Sequence, residues 1–285
     1  MKFEDIKFVD FELNEMTNIL RVLDSVAPDE VYNLAAQSFV HLSFEQPIYT
    51  SDCDYMGPSR ILEAMRTLYM EDDVRFYQAG SSEMFGKVQE VPPKETTPFY
   101  PRSPYGVSKL AAHWIVKNYR ETYGLFACSG ILFNHESPRR GEYFVTQKIV
   151  RGIKDVVDGK IEFLEIGNPE AMRDWGHAKD YVRAMWLMLQ QDKPDDYVVA
   201  TGEEHSIREL ANSVAKHHNM ILEWREDGAY EVETGKPILK ISSKFFRPCE
   251  VDKLLGCPSK IRAIGWKPEF SFNDLVTDMV EALNK

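Results

Sequence analysis

Glycine is sparse in this 285-residue chain, and no two of its 16 glycines lie closer than six positions. That spacing excludes a glycine-rich loop cradling a phosphate, which needs several glycines within one short turn. Cysteine is scarcer still. The four, at 53, 128, 249 and 257, form no C-x-x-C pair and have no histidine at metal-ligand spacing. They read as packed or free thiols of a reducing compartment, with no metal site. Basic charge is in deficit: 34 Lys and Arg against 45 Asp and Glu leave a formal charge of −11 and a pI near 5.2. This argues against a nucleic-acid surface, since phosphate contacts require clustered cations, although a few placed arginines can hold one small phosphorylated ligand. No run approaches the roughly 20 apolar residues of a membrane span, and Met1-Lys2-Phe3-Glu4-Asp5 carries no apolar signal region. A soluble, cytoplasmic chain without nucleic-acid or membrane partners is expected.

What is present is an alternation of element types. Ile6–Phe11 reads as a short strand and Asn14–Val26 as a helix with Ile19, Leu20, Leu23 and Val26 on one face. Glu30–Ala36 reads as a buried strand, Pro47 to about Tyr69 as a helix, and Val74–Ala79 as a strand running into the turn Gly80-Ser81-Ser82-Glu83. Ser103 caps a helix to Tyr123, and Phe126–Phe133 is a further strand. Such alternation predicts a parallel sheet with helices on both faces, with ligands at the carboxyl ends of strands. Gln37-Ser38, Ser81–Glu83 and Asn134-His135-Glu136 fall at three such ends. Further on, helices are expected at Phe144–Val157, His177–Leu189, Ser206–His217 and Asn273–Leu283, with short strands separating them.

Tyr105 and Lys109 stand at i and i+4, on one helical face. Tyrosine alone is a poor base, with a reference pKa near 10; a neighbouring ammonium favours the phenolate and makes the pair a general base near neutrality. A lone Y-x-x-x-K is a weak motif, since a match by chance is unsurprising among 13 tyrosines. Its position after the Val74–Ala79 strand and the Ser81-Ser82-Glu83 turn gives it weight.

In that context the segment Tyr77–Lys109 (YQAGSSEMFGKVQEVPPKETTPFYPRSPYGVSK) resembles the GDP-mannose 4,6-dehydratases, members of the extended short-chain dehydrogenase/reductase group. So do Phe133–Gly141 (FNHESPRRG), Arg173–Gln190 (RDWGHAKDYVRAMWLMLQ), Val9–Glu15, Tyr32–Ser38 and Arg247–Asp252. The resemblance implies an α/β fold: a doubly wound, Rossmann-like parallel sheet lacking its first two strands, with a smaller mixed α/β substrate lobe. A nucleotide-binding lobe of 1–140 and 172–204 and a nucleotide-sugar lobe of 141–171 and 205–285 are expected. The implied catalytic residues are Ser81, Glu83, Tyr105 and Lys109, with Glu83 as the base at C5 that separates a dehydratase from a plain reductase or epimerase. The implied cofactor is NADP, against Asp10, Phe11, Leu34, Ala35, Ala36, Gln37, Ser38, Tyr49, Lys109, His135 and Arg140. The implied substrate, GDP-mannose, falls to Asn134, Val145, Lys148, Arg173, Arg247 and Glu250. Arg173 has an alternative in pairing with Asp174 or Asp180, and Trp175 reads as core.

The family's glycine turn, with its first two strands and helices, has no counterpart here; about sixty residues, two βα units, are expected to be absent. Glu30–Ala36 would then be an unprotected apolar edge. A homo-oligomer or a partner chain supplying that segment is one expectation. A catalytically silent nucleotide-sugar-binding subunit, or half of a split enzyme, is the alternative to an active dehydratase. Smaller departures from the family pattern are Ser81 for Thr, Gly80 for Ser and Phe39 for His.

Overall fold

Ile19 and Leu23, four positions apart, share one helical face, and in the computed structural model, which describes residues 5–245 and 255–284, they are buried on α1 (Met16–Val26). The chain divides into two units. One comprises Met1–Glu90, Glu95–Leu132 and Met185–Val198; the other comprises Val91–Lys94, Phe133–Ala184 and Val199–Lys285.

The first unit is built on a sheet of order β1-β2-β3-β8, from β1 (Glu30–Asn33), β2 (Arg75–Ala79), β3 (Phe126–Leu132) and β8 (Tyr197–Val199). The pairs β1–β2 and β2–β3 are parallel, in register Asn33↔Gln78 and Gln78↔Ser129 near their carboxyl ends. Asn33 Nδ2 donates to Gln78 Oε1 at 2.8 Å, so two buried amides satisfy each other there. One face is covered by α1, α4 (Gly57–Thr67) and α5 (Pro104–Tyr123), whose Ile19, Ile61, Leu62, Met65 and Val116 pack on Phe76 and Ala127 of the strands. Ser103 accepts from the Gly106 amide and Pro104 opens the helix, which is why α5 begins where the sequence places it.

α2 (Val40–Glu45) and α3 (Pro47–Ser51) precede a π turn at Asp52–Met56 that runs directly into α4. The cause of the turn is visible in the sequence: Pro58 has no N–H to give the Asp54 carbonyl, and the Gly57 amide instead reaches back five residues to Asp52 O.

The second unit carries β4 (Asn134–Glu136), α6 (Val145–Val157), β5 (Leu164–Ile166), β6 (Met172–Arg173), β7 (Trp175–His177), β9 (His205–Ser206), α8 (Ile207–His217), β10 (Leu222–Arg225), β11 (Gly228–Glu231), β12 (Pro237–Ile241), α9 (Ser259–Ala263) and α10 (Phe272–Glu281). α7 (Ala178–Leu189) contributes residues to both units. Its main sheet is mixed: β10-β11-β12 is an antiparallel meander and β12 pairs with β5 in parallel. Ile149, Ile153, Leu210, Val214, Leu239, Val276 and Trp175 form its core, so the core reading of Trp175 holds. Capping boxes Ser206/Glu209 and Ser271/Asp274 start α8 and α10.

Three expectations change. Ile6–Phe11 forms no strand: its residues are exposed and have no ladder partner among the described residues, so alternation alone did not make a sheet member of them. The Glu30–Ala36 strand stops at Asn33, and β1 has one neighbour among the described residues. Asn134–Glu136 is itself a strand, parallel to Trp175–His177. No described helix is long and apolar enough to cross a membrane.

A bidentate pair ties α5 to the sheet: Arg120 meets both Asp196 oxygens at 2.9 and 2.7 Å, and Asp196 also accepts the Ser129 amide. Burial by itself raises the Asp196 carboxyl; Arg120, His113 and the Ser129 amide outweigh it and hold the group below the usual carboxylate value. Because the folded value lies below the unfolded one, this stabilisation is complete above about 3.9, the unfolded reference, and is lost as pH falls through the folded value. Asp196→Ala is expected to cost about 3–5 kcal/mol at neutral pH, because a largely buried guanidinium is left without its carboxylate. Thermal denaturation of both proteins should show the difference shrinking as the wild type is acidified.

Candidate active site

Three of the predicted catalytic residues are set by main-chain approaches that tolerate little bulk. Ser81 leaves β2 in an extended conformation and its hydroxyl accepts the Glu83 amide at 3.2 Å, starting a 3-10 turn at Ser82–Met84. Gly80 donates to the Gly130 carbonyl, and a Cβ at Gly80 would lie 2.7 Å from that oxygen. The family's Ser at this position would therefore need β3 to move. A Cβ at Gly106 would lie 2.7 Å from the Glu83 carbonyl, so glycine lets the first turn of α5 rest on the main chain that carries Glu83. Tyr105 is buried beside it, and Glu83 is half-buried.

Lys109, one turn on, is buried and donates one of its three N–H groups to the Ala79 carbonyl at 3.1 Å, the last residue of β2. Its nitrogen lies 5.8 Å from the Tyr105 ring centre. Burial pushes its pKa down, and the Asp54 carboxylate opposes that shift. Ser81, Glu83, Tyr105 and Lys109 thus gather where β2 ends and α5 begins.

The predicted cofactor segment follows β1. Leu34, Ala35, Ala36 and Ser38 are exposed, presenting open main chain and, Leu34 apart, small side chains. Gln37 is buried and is their clasp: its amide donates to Asp54 Oδ1 at 2.7 Å, and its side chain joins Thr50 Oγ1, the Phe39 carbonyl and the Phe39 amide. Sequence reasoning missed Asp54. An acid four residues before a proline, two after Asp52, was the available signal. Asp10, Phe11 and Tyr49 are exposed in the same unit.

The remaining predicted residues that the structure describes lie in the second unit. Asn134 and His135 stand on β4, opposite Trp175 and Gly176. His135 Nδ1 is 2.9 Å from the Phe133 carbonyl, which fixes the proton on that nitrogen, and the ring stacks on Tyr181. Burial pushes its pKa down to about 4, so the imidazole is neutral at physiological pH. Arg140 pairs with the buried Glu136 and lies over the Phe144 ring, and Thr146 donates to the same carboxylate. Sequence reasoning named Glu136 only as part of a polar strand end and missed its pairing with Arg140. Val145 opens α6, and Lys148 places its ammonium 3.5 Å from the Phe245 ring centre. Arg173 donates to the Met172 carbonyl. Asp174 is committed to the Thr201 amide and hydroxyl and the Gly202 amide, and Asp180 to the amides of Glu269 and Phe270. Arg247 and Glu250 lie outside the described residues.

Because Gly106 packs on main chain rather than on a flexible side chain, Gly106→Val is expected to lower stability by about 1–3 kcal/mol. Calorimetry checks this; an unchanged melting temperature would mean that α5 does not rest on the Glu83 turn.

The sequence profile described as GDP-mannose 4,6 dehydratase matches residues 2–279. The chain is 51% identical over 284 residues to GDP-mannose 4,6-dehydratase of Vibrio cholerae, covering 94% of this chain and 76% of that protein. It is 51% identical over 276 residues to GDP-mannose 4,6 dehydratase of Homo sapiens, covering 95% and 74%. Among solved structures, RMD from Pseudomonas aeruginosa complexed with NADPH shares the fold, with TM-score 0.82, 24% identity and coverage of 96% and 87%. The profile match spans nearly the whole chain and half the residues are shared with these relatives, so this chain belongs to the GDP-mannose 4,6-dehydratase family.

Proposed function

We propose that the chain removes water from GDP-mannose to give GDP-4-keto-6-deoxy-mannose, with NADP as its resident cofactor. The observation that carries this reading is the seating of Gly106 on the Glu83 main chain, which sets a carboxylate-bearing turn against the helix of Tyr105 and Lys109. The names and the roughly half-identical sequences of the relatives from Vibrio cholerae and Homo sapiens support it.

The open main chain at Leu34–Ala36 and Ser38, and the further N–H donors of Lys109, fit a nicotinamide dinucleotide, which Asp10, Phe11, Gln37, Tyr49, His135 and Arg140 would also hold. The NADPH-bound neighbour from Pseudomonas aeruginosa favours the phosphorylated form. When bound, this group supplies a hydride acceptor and donor, so that C4 is oxidised and C6 reduced within one turnover.

Tyr105 takes the proton of the 4-hydroxyl, with Ser81 donating to the same oxygen and the Lys109 ammonium favouring the phenolate. The resulting 4-keto group acidifies the C5 hydrogen. Glu83 removes that proton and passes it to the departing 6-hydroxyl, which leaves as water; C5 regains a proton from Tyr105 as C6 is reduced. Asn134, Val145, Lys148 and Arg173 would hold the nucleotide sugar, with Arg247 and Glu250; an arginine fork suits a diphosphate.

Glu83→Gln tests the assignment. With GDP-mannose and NADP, the variant is expected to develop the absorbance of reduced nicotinamide, since oxidation at C4 needs Tyr105 and not Glu83. Mass spectrometry should find no product lighter by one water. Normal turnover by the variant would remove Glu83 from the mechanism.

A further inference from the structure

The π turn at Asp52–Met56 aims an acid into the interior of the first unit. Asp54 has no exposed surface. One carboxylate oxygen accepts the Gln37 amide; the other, Oδ2, is buried without any hydrogen-bond partner. A buried carboxylate oxygen without a donor is costly and needs a compensating charge. Lys109 is a cation in electrostatic reach, itself buried and carrying N–H donors beyond its bond to Ala79. The two groups offset each other, and each pulls the other toward its charged form.

We propose that Asp54 is a positioning residue for the dehydratase reaction, holding the Lys109 ammonium protonated behind Tyr105 while its other oxygen pins the Gln37 amide of the exposed Leu34–Ser38 segment. This rests on the function proposed above. The geometry explains the residue type: a carboxylate can serve both partners at once, whereas an asparagine keeps the amide contact and loses the charge. The π turn explains the placement, since it comes directly ahead of Pro58 on a helix packed against α5.

Other charges around the turn are accounted for. From α3 comes Tyr49, whose hydroxyl meets Cys53 of the turn itself. Asp52 is paired with Arg60 of α4, and Glu63 with Arg66 of the same helix. Glu12 lies near Tyr49 and Cys53, and α2 offers His41 and Glu45, paired with each other on the exposed side. From α5 come Tyr105 and Lys109. Burial raises the Asp54 carboxyl to about 6, with Lys109 and the Gln37 amide opposing, so it is charged at neutrality and above.

Two measurements test the proposal. In Asp54→Asn, Lys109 should lose its proton at lower pH, so the alkaline limb of kcat moves down while KM for GDP-mannose stays within about twofold. Wild type and variant should converge below about pH 6, where the wild-type carboxyl is protonated. A purely structural role would lower kcat equally at every pH, and that result, or an unmoved limb, overturns the proposal. The second measurement needs no turnover and no folded Asp54 variant. Carboxyl 13C NMR of the protein alone should show Asp54 titrating higher in Lys109→Met than in wild type, and an unmoved Asp54 overturns the coupling. Failure of the wild type to form product would count against the proposed function instead, leaving the NMR result to be read by itself.

Discussion

A lysine ammonium taken out of water has to be matched group for group, and much of the first unit is arranged around that requirement. Lys109 sits one turn into α5, where Ala79 of β2 gives its carbonyl and the turn carrying Asp54 gives a negative charge. For the carbonyl to be there, β2 must end at Ala79 and turn sharply through Gly80 and Ser81. For the carboxylate to be there, the helix from Pro47 must widen ahead of Pro58. The residues proposed as catalytic share the elements that solve this one desolvation problem.

The same economy appears in the second unit, with carboxylates rather than cations at the centre. Asp174 gathers the amides of Thr201 and Gly202 with the Thr201 hydroxyl, and Asp180 gathers those of Glu269 and Phe270. Burial raises the Asp174 carboxyl, and the hydrogen bonds it accepts pull it back. Each acid replaces the water that loop amides would otherwise need, and so fixes loops beside β7 and α7.

How much of this was legible follows from the range of the signal. Helix starts written in adjacent residues were readable: Ser103-Pro104 before α5, Ser206 with Glu209 before α8, and the apolar periodicity of α1. The Tyr105–Lys109 pair and the Ser81–Glu83 turn were readable for the same reason. Strand limits were not, because a ladder needs a partner: Ile6–Phe11 has none among the described residues, Leu34–Ala36 falls outside β1, and Asn134–Glu136 finds one in Trp175–His177. The hairpins β10 to β12 and their parallel link to β5 depend on pairings as distant as Leu164 with Leu239. The roles of Gly106, Asp54 and Glu136 escaped notice because each depends on an atom brought to it by the fold: the Glu83 carbonyl, Lys109 and Arg140.

Tyr77, Gly130 and Gly80 form a steric chain across the sheet. The Tyr77 hydroxyl fills the place where a Cβ at 130 would stand, 2.3 Å away, and the Gly130 carbonyl fills the place of one at 80. These three positions cannot drift independently. A side chain at 130 becomes admissible only after Tyr77 has been trimmed, and one at 80 only after the strand bearing 130 has shifted. Substitution at 130 is therefore coupled to the side chain at 77, and substitution at 80 to the position of the β3 main chain.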